Sequence, residues 1–202
     1  MSAANAARVL ELAARHEFMI VEDDIYGDLQ GRHAPRLASM DHDRRVVYVG
    51  GFSKTLAANL RVGFMTAHPA LIRELRDIKA LTGLASSELC ERVVARIINE
   101  RSYERMLERI RARLDECRAR TAESLLRMGA KIAGPPVGGM YVWADFRRDT
   151  NELAAAGSRE GVLLAPGSLF SPTQLPSSWM RVAAATCLNP AAMTFLARAM
   201  EH

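Results

Sequence analysis

The spacing of apolar residues along the chain predicts an α/β protein. Capping residues and apolar positions that recur every three or four residues predict four helices in the first two thirds of the chain. These helices cover residues 3–15, 69–82, 87–99 and about 103–128. Short apolar runs predict three strands, at residues 18–21, 46–49 and 61–67. The first two runs are continuous, and such runs suit strands that are buried on both faces of a parallel sheet.

The pattern changes after Gly129, where the elements become shorter. Strands are predicted at residues 140–144, 162–164 and 179–183, and helices at residues 152–158 and 190–200. We therefore predict three parts: an α/β portion over residues 1–100, a bridging helix over 101–129, and a small α+β domain over 130–202.

Composition is that of an ordinary soluble protein. Of the 202 residues, 49% are apolar and 25% are charged. No apolar run reaches the roughly 18 residues that a membrane span needs. The first residues lack a basic and an apolar region, so we predict no signal peptide and expect a cytoplasmic protein without membrane partners.

Cysteines and histidines give no sign of a metal site. Cys90, Cys117 and Cys187 are odd in number, far apart and not arranged as CxxC, and the five histidines are scattered. We predict free thiols in a reducing compartment, and no metal.

The net charge of +4 raises the question of nucleic acid. Arg101, Arg105, Arg109 and Arg113 repeat every four residues, but acidic residues interrupt this stripe. Several acids stand at ion-pairing distance along a helix. We therefore expect a solvated helix face, and no direct nucleic-acid binding by this segment.

Reactive side chains follow the first two predicted strands. Asp23 and Tyr26 come just after the first strand, and Ser53 and Lys54 just after the second. In open α/β sheets, ligands bind beyond the carboxyl ends of the strands. If the two strands are neighbours, a carboxylate, a phenol and an amine meet at one rim, and such an amine can attack carbonyl groups.

The order of these residues resembles a known family. Asp23-Asp24-Ile25-Tyr26, then Phe52-Ser53-Lys54-Thr55-Leu56, then Arg61 look like the paired signature of class I/II (fold-type I) PLP-dependent aminotransferases. The chain is similar to their C-terminal half. It is most similar to the branch of 2-aminoadipate transaminases and MocR-type (GntR family) regulators. The resemblance implies a partial PLP-transferase fold, with an incomplete, mostly parallel sheet.

The resemblance also implies pyridoxal 5'-phosphate as cofactor and a role for each matching residue. Lys54 would bind the cofactor aldehyde covalently and move the substrate proton. Asp23 would keep the pyridine nitrogen protonated, and Tyr26 would donate to the phenolic oxygen. Ser53 and Arg61 would hold the phosphate.

Arg181 resembles the family's arginine that clamps the substrate α-carboxylate. The segments Gly138–Trp143 and Ala165–Phe170 look like the small-domain segments that flank the substrate.

Two departures from the family pattern change the expected behaviour. Gly51 stands where relatives usually carry a hydroxyl for the phosphate. The family's upstream glycine-rich loop, stacking aromatic residue and Asn-Pro-Thr-Gly motif do not occur in this chain. We therefore expect a truncated product of an internal start or a split gene. Alone, it would bind the cofactor poorly and turn over little substrate.

Three functions remain open at this point. The first is a truncated aminotransferase that moves an amino group between an α-amino acid and a 2-oxo acid. The second is the aminotransferase-like effector domain of a MocR-type regulator, where the same site senses a ligand. The third is a non-catalytic remnant. The full-length family is usually homodimeric, and the sequence does not identify the substrate amino acid.

Overall fold

A computed structural model of the chain describes residues 1–31, 34–41, 44–83, 85–134 and 138–201. The chain divides into two compact units, Met1–Glu108 and Arg109–His202. Among the described helices, none combines the length and the apolar character that crossing a membrane requires.

The first unit is built on a mixed sheet. Its strands are β1 (Ile20–Asp23), β2 (Val46–Gly51) and β3 (Gly63–Thr66). Its helices are α1 (Ala3–Arg15), α2 (Leu37–Asp41), α3 (Pro69–Gly83) and α4 (Glu88–Asn99), and α5 (Ser102–Arg127) continues into the second unit. The strand order is β1-β2-β3, with β1 parallel and β3 antiparallel to β2.

Helix α1 has the predicted bounds, and its first turn explains where it begins. The Ser2 hydroxyl accepts a hydrogen bond from the amide of Asn5 at 3.2 Å, which satisfies one free amide of the first turn. Ala6 on this helix is fully buried in a small core with Leu37 of α2 and Val46 of β2. Small residues at such positions allow a helix to pack closely on a sheet.

Strand β1 differs from its prediction. It begins at Ile20 rather than Phe18, and the side chain of Val21 is 67% exposed. The prediction that this strand is buried on both faces is therefore wrong. Val21 and Asp23 point to the same, exposed face of the strand, whereas Ile20 on the other face packs against Ala6, Leu37 and Val46. β1 is also an edge strand of the described sheet. The Glu22 carboxylate lies on the same face as Ile20 and accepts hydrogen bonds from the Leu37 and Ala38 amides at 2.9 Å each, at the start of α2.

The second unit contains an antiparallel sheet of the order β4-β5-β7-β6. Its strands are β4 (Lys131–Ile132), β5 (Tyr141–Asp145), β6 (Ala165–Pro166) and β7 (Trp179–Ala183). Its further helices are α6 (Thr150–Arg159) and α7 (Pro190–Met200). Leu125 of α5, Phe146, Met180 of β7 and Leu196 of α7 are at most 1% exposed and form the centre of its core.

The strand predicted at residues 162–164 is wrong. Gly161 has a φ of +75°, and the amide of Val162 donates back to the carbonyl of Gly157 at 2.8 Å. This turn ends α6 and leaves Leu163 89% exposed, so the apolar run does not enter the sheet. The strand forms only at Ala165–Pro166, where it pairs with β7.

Candidate functional site

The carboxyl ends of β1 and β2 form one rim, as the sequence predicts. The two strands are parallel, and Asp23 at the end of β1 is in register with Val49. Strand β2 continues to Gly51, and the chain then makes a tight turn in which the Leu56 amide donates to the Phe52 carbonyl at 2.8 Å. Ser53 and Lys54 lie in this turn. This local hydrogen bond therefore fixes the turn from which the Lys54 side chain projects.

A pocket of about 380 Å³ opens beside this turn. Its polar side chains are those of Ser53, Lys54 and Arg61. The remaining lining residues are Ile25, Gly50, Gly51, Ala58, Val62 and Gly63. Two cationic side chains and one hydroxyl, with no carboxylate among the lining residues, favour an anionic ligand such as a phosphate.

Lys54 also connects the pocket to the end of β1. Its ammonium nitrogen lies over the ring of Tyr26, 5.6 Å from the ring centroid. The two motifs that follow β1 and β2 therefore meet at this contact.

Asp23 is not among the residues that line the pocket. Its side chain is exposed, and one carboxylate oxygen accepts a long hydrogen bond of 3.4 Å from the amide of Ile25. The structure thus brings Tyr26, Ser53, Lys54 and Arg61 together, and it leaves the Asp23 carboxylate at the strand end.

Arg61 reaches the pocket through an unusual backbone conformation. It follows a short 3-10 helix, Ala58–Leu60, and has a φ of +53°. A left-handed conformation costs a residue other than glycine about 1–2 kcal/mol. The turn at Arg61 leads the chain into β3 while its guanidinium stays at the pocket.

Glycines in the pocket wall differ in how strictly they are required. A Cβ atom at Gly63 would lie 2.9 Å from the carbonyl oxygen of Gly50, so close pairing of β2 and β3 excludes a side chain there. At Gly51 the nearest atom would be the Val62 carbonyl oxygen at 3.7 Å, which is an ordinary contact. Packing would therefore tolerate a side chain that starts with a Cβ atom at position 51, including one with a hydroxyl.

A partly buried polar cluster supports the turn after β1. The Asp24 carboxylate accepts hydrogen bonds from Arg36 at 2.7 Å and from the Tyr48 hydroxyl at 3.0 Å. Arg36 also donates to the carbonyl of Gly27 at 2.9 Å. A Cβ atom at Gly27 would lie 2.1 Å from this carboxylate, so glycine makes room for it. Sequence reasoning missed this role, although the paired acids Asp23-Asp24 were visible.

Tyr103, at the start of α5, supports the lysine turn. Its hydroxyl donates to the Asp28 carboxylate at 2.5 Å and lies 2.9 Å from the Thr55 hydroxyl. Tyr103 and Thr55 are 8% and 5% exposed. This contact joins the segment after β1 to the residue next to Lys54. No local motif marks Tyr103 in the sequence, because its partners come from distant parts of the chain.

The cluster of Asp24, Arg36 and Tyr48 predicts that Tyr48 loses its proton only at high pH. Burial, together with the hydrogen bond to Asp24, raises the pKa of Tyr48 from 10.0 to about 12. The folded state then holds this proton more tightly than the unfolded chain does. The resulting stabilisation is complete below pH 10 and is lost as the pH rises toward 12. In a phenolate absorbance titration, we therefore expect the Tyr48 phenol to ionise near pH 12.

The variant Tyr48→Phe should lower the absorbance change near pH 12 by the contribution of one phenol, because it removes the phenol that is responsible. Tyr141→Phe, in the second unit, is the matched control and should retain that contribution. An absorbance change near pH 12 that is as large in Tyr48→Phe as in the wild-type chain would contradict the assignment.

Arg181 occupies the centre of the sheet in the second unit. On β7 it is in register with Trp143 on one side and Ala165 on the other. Its guanidinium carbon lies 4.2 Å from the ring centroid of Tyr141 and 4.3 Å from that of Phe170. Its Nε atom is buried without a hydrogen-bond partner in the described residues. Arg181 also lines a pocket of about 580 Å³, so a fixed cation faces a space that a carboxylate can enter.

Comparison with known proteins now places the chain in a family. The family model for aminotransferase class I and II matches residues 1–200, and the chain belongs to this family. Its relatives include both regulators and enzymes. An uncharacterized HTH-type transcriptional regulator, YisV of Bacillus subtilis, is 34% identical over 84% of this chain and 36% of its own length. An uncharacterized aminotransferase of Saccharolobus solfataricus, SSO0104, is 31% identical over 90% of this chain and 47% of its own length.

Solved structures of aminotransferases share the fold. The Pyrococcus horikoshii kynurenine aminotransferase, solved in complex with PMP, is 27% identical, with a TM-score of 0.87 over 100% of this chain and 52% of that one. LysN, the α-aminoadipate aminotransferase of Thermus thermophilus, is 26% identical, with a TM-score of 0.83 over 97% and 53%. The predicted α/β class and partial fold are confirmed. The chain spans at most about half the length of these relatives.

Proposed function

We propose that this chain supplies the lysine-bearing part of a pyridoxal-phosphate site, and that the activity of the whole protein is aminotransfer between an α-amino acid and a 2-oxo acid. The observation that carries the proposal is the pocket at the rim of β1 and β2. It combines an amine, a guanidinium and a hydroxyl, and Lys54 contacts Tyr26 at its edge.

The residues present fit the chemical groups of this cofactor. Arg61 and Ser53 would hold its phosphate, since a guanidinium and a hydroxyl are suitable donors to phosphate oxygens. Lys54 would attach to its aldehyde and carry a proton to and from the substrate carbon. Tyr26 would donate to its phenolic oxygen, and the Asp23 carboxylate would keep its ring nitrogen protonated. When bound, the cofactor supplies an electron sink for the substrate carbanion.

Arg181 would bind the α-carboxylate of the amino acid. The guanidinium is held between two aromatic rings, so little side-chain freedom is lost when it forms a two-pronged contact. In the whole protein, we expect the family's homodimer.

The chain alone should bind the cofactor weakly. Lys54, Arg61 and Asp23 are all exposed, so their contacts with a ligand compete with water. Weak binding agrees with a chain that has at most about half the length of its relatives.

A regulator is the second candidate function, because regulators occur among the relatives. YisV is one example, and the HTH-type transcriptional regulator NorG of Staphylococcus aureus is 29% identical over 80% of this chain. In such a protein the same pocket would sense a ligand rather than turn it over. Assays of amino-group transfer by the whole protein separate the two functions.

Covalent trapping tests the proposed site directly. The purified chain is mixed with pyridoxal phosphate, reduced with borohydride, digested and mapped by mass spectrometry. Reduction makes an amine-bound cofactor permanent, so the labelled lysine can be identified. Because two cations favour the phosphate at the pocket, we expect Lys54 to be labelled at cofactor concentrations that leave Lys79 and Lys131 unlabelled.

The other two lysines serve as internal controls, since the chain contains three in total. Equal labelling of all three would overturn the proposed site. Saturation of Lys54 at an equimolar concentration of cofactor would instead overturn the expectation of weak binding.

A further inference from the structure

Two cysteines that are distant in the sequence meet in the second unit. Cys117 lies on α5 and is 5% exposed, whereas Cys187 is half-buried in the short 3-10 helix Ala184–Leu188 that follows β7. The Cys117 thiol interacts with the side chain of Cys187. Neither cysteine is part of the proposed aminotransferase chemistry.

One helical turn further along α5, a side chain forms hydrogen bonds to the backbone of the segment that carries Cys187. The fully buried Thr121 hydroxyl donates to the carbonyl of Ala184 at 2.7 Å and accepts from the amide of Cys187 at 3.2 Å. Residues four apart on a helix lie on the same face, so Cys117 and Thr121 both face the segment that carries Cys187. Hydrogen bonds between the two segments therefore keep Cys117 and Cys187 close together, independently of how the two thiol side chains are oriented.

We propose that Cys117 and Cys187 form a reversible disulfide, which makes this pair a redox modification site of the second unit. The oxidant is a small-molecule disulfide such as glutathione disulfide. The Cys187 thiol, which is the more exposed of the two, attacks first and releases one glutathione thiol. Cys117 then attacks the sulfur of Cys187 and releases the second glutathione thiol. Two protons and two electrons thus pass from the protein to the oxidant.

The environment of Cys117 makes it the resolving residue. Burial raises the pKa of its thiol, and the neighbouring Cys187 and Glu116 raise it further against the opposing effect of Arg113. A buried thiol with a raised pKa reacts slowly with reagents in solution. It can still attack a mixed disulfide that forms beside it.

The bridge would join α5 to the segment that follows β7. Arg181, the proposed carboxylate ligand, lies on this strand. Oxidation would thus restrict the backbone at the end of the strand that carries this arginine. The proposal does not depend on that role, because the thiols and their contacts lie outside both pockets described above.

Peptide mapping of the whole chain tests the bridge. The chain is incubated with glutathione disulfide, and the remaining free thiols are then blocked. After the mass of the blocking group on Cys90 is subtracted, the intact mass should be lower than that of the reduced, unblocked chain by two hydrogens, because one bridge has formed. Trypsin should release the peptide of residues 114–118 linked to that of residues 182–198. A thiol reductant should separate the two peptides. The melting temperature, followed by tryptophan fluorescence, should be several degrees higher in the oxidised chain.

Cys90→Ser is the matched control and should retain both the linked peptides and the thermal shift. Cys187→Ser should lose both while keeping the melting temperature of the reduced chain. Cys117→Ser should instead accumulate glutathione on Cys187 without resolving it. The proposal fails if the wild-type chain yields stable glutathione adducts on Cys187, links that include Cys90, or bridges between two chains.

Discussion

Replacing Lys54 with alanine is expected to abolish the visible absorbance that the chain acquires in the presence of pyridoxal phosphate. This absorbance requires a covalent bond between an amine and the cofactor aldehyde, and Lys54 is the amine that lines the candidate pocket. The expected effect is a complete loss of the specific signal at cofactor concentrations that give partial occupancy of the wild-type chain. Absorbance titrations of the two chains, carried out side by side, measure it.

Two further variants make this result interpretable. Lys79→Ala removes a lysine of α3 that lies outside the pocket, and it should leave the titration unchanged. Arg61→Ala removes a proposed phosphate ligand but keeps the amine. We expect it to retain the band while raising the dissociation constant about 10–100-fold, as the loss of a hydrogen bond to a charged group does. A wild-type spectrum in Lys54→Ala would exclude Lys54 as the attachment site.

Replacing Phe146 with alanine is expected to lower the free energy of unfolding of the second unit by about 3–5 kcal/mol. The Phe146 side chain is 1% exposed and belongs to the same core cluster as Leu125, Met180 and Leu196. Its removal exchanges a well-packed ring for a cavity, and a packed interior closes such a cavity only in part. The loss is comparable with the total stability of many small domains.

Intrinsic fluorescence can follow this unit selectively. The two tryptophans of the chain, Trp143 and Trp179, are stacked in neighbouring strands of the second unit, with ring centroids 6.2 Å apart. Urea unfolding monitored by fluorescence should therefore show a lower midpoint in Phe146→Ala. Leu163→Ala removes a side chain that is 89% exposed, and it should change the free energy of unfolding by less than about 0.5 kcal/mol. Equal effects of the two substitutions would contradict the described core.

Local sequence signals predict those elements that local chemistry determines. α1, β7 and α7 have the predicted bounds. Ser2 and Asn189 cap the two helices, and the fully buried residues alternate with more accessible ones along the strand. The short strand β4 and helix α2 were not predicted. They contain two and five residues, too few for a periodic pattern, and form because a partner segment lies beside them.

In the candidate site, too, some residues could be predicted from local sequence and others depend on tertiary structure. Its motif positions could be read from the sequence because their spacing resembles that of a family, and Tyr26, Ser53 and Arg61 meet around Lys54. The residues that hold these positions in place could not be read. Tyr103 meets Asp28 and Thr55 only after the chain has folded, and the Asp24 cluster likewise depends on Arg36 and Tyr48. The meeting of Cys117 and Cys187 is likewise a product of tertiary structure.

The unpaired edge of β1 in the described sheet also affects how the isolated chain should behave in solution. An edge strand offers unpaired backbone groups to any extended peptide, and here the apolar side chain of Val21 adds to that attraction. We therefore expect concentrated samples of the chain to self-associate through this strand. An added polypeptide that pairs with the edge would compete with this association and keep the first unit dispersed.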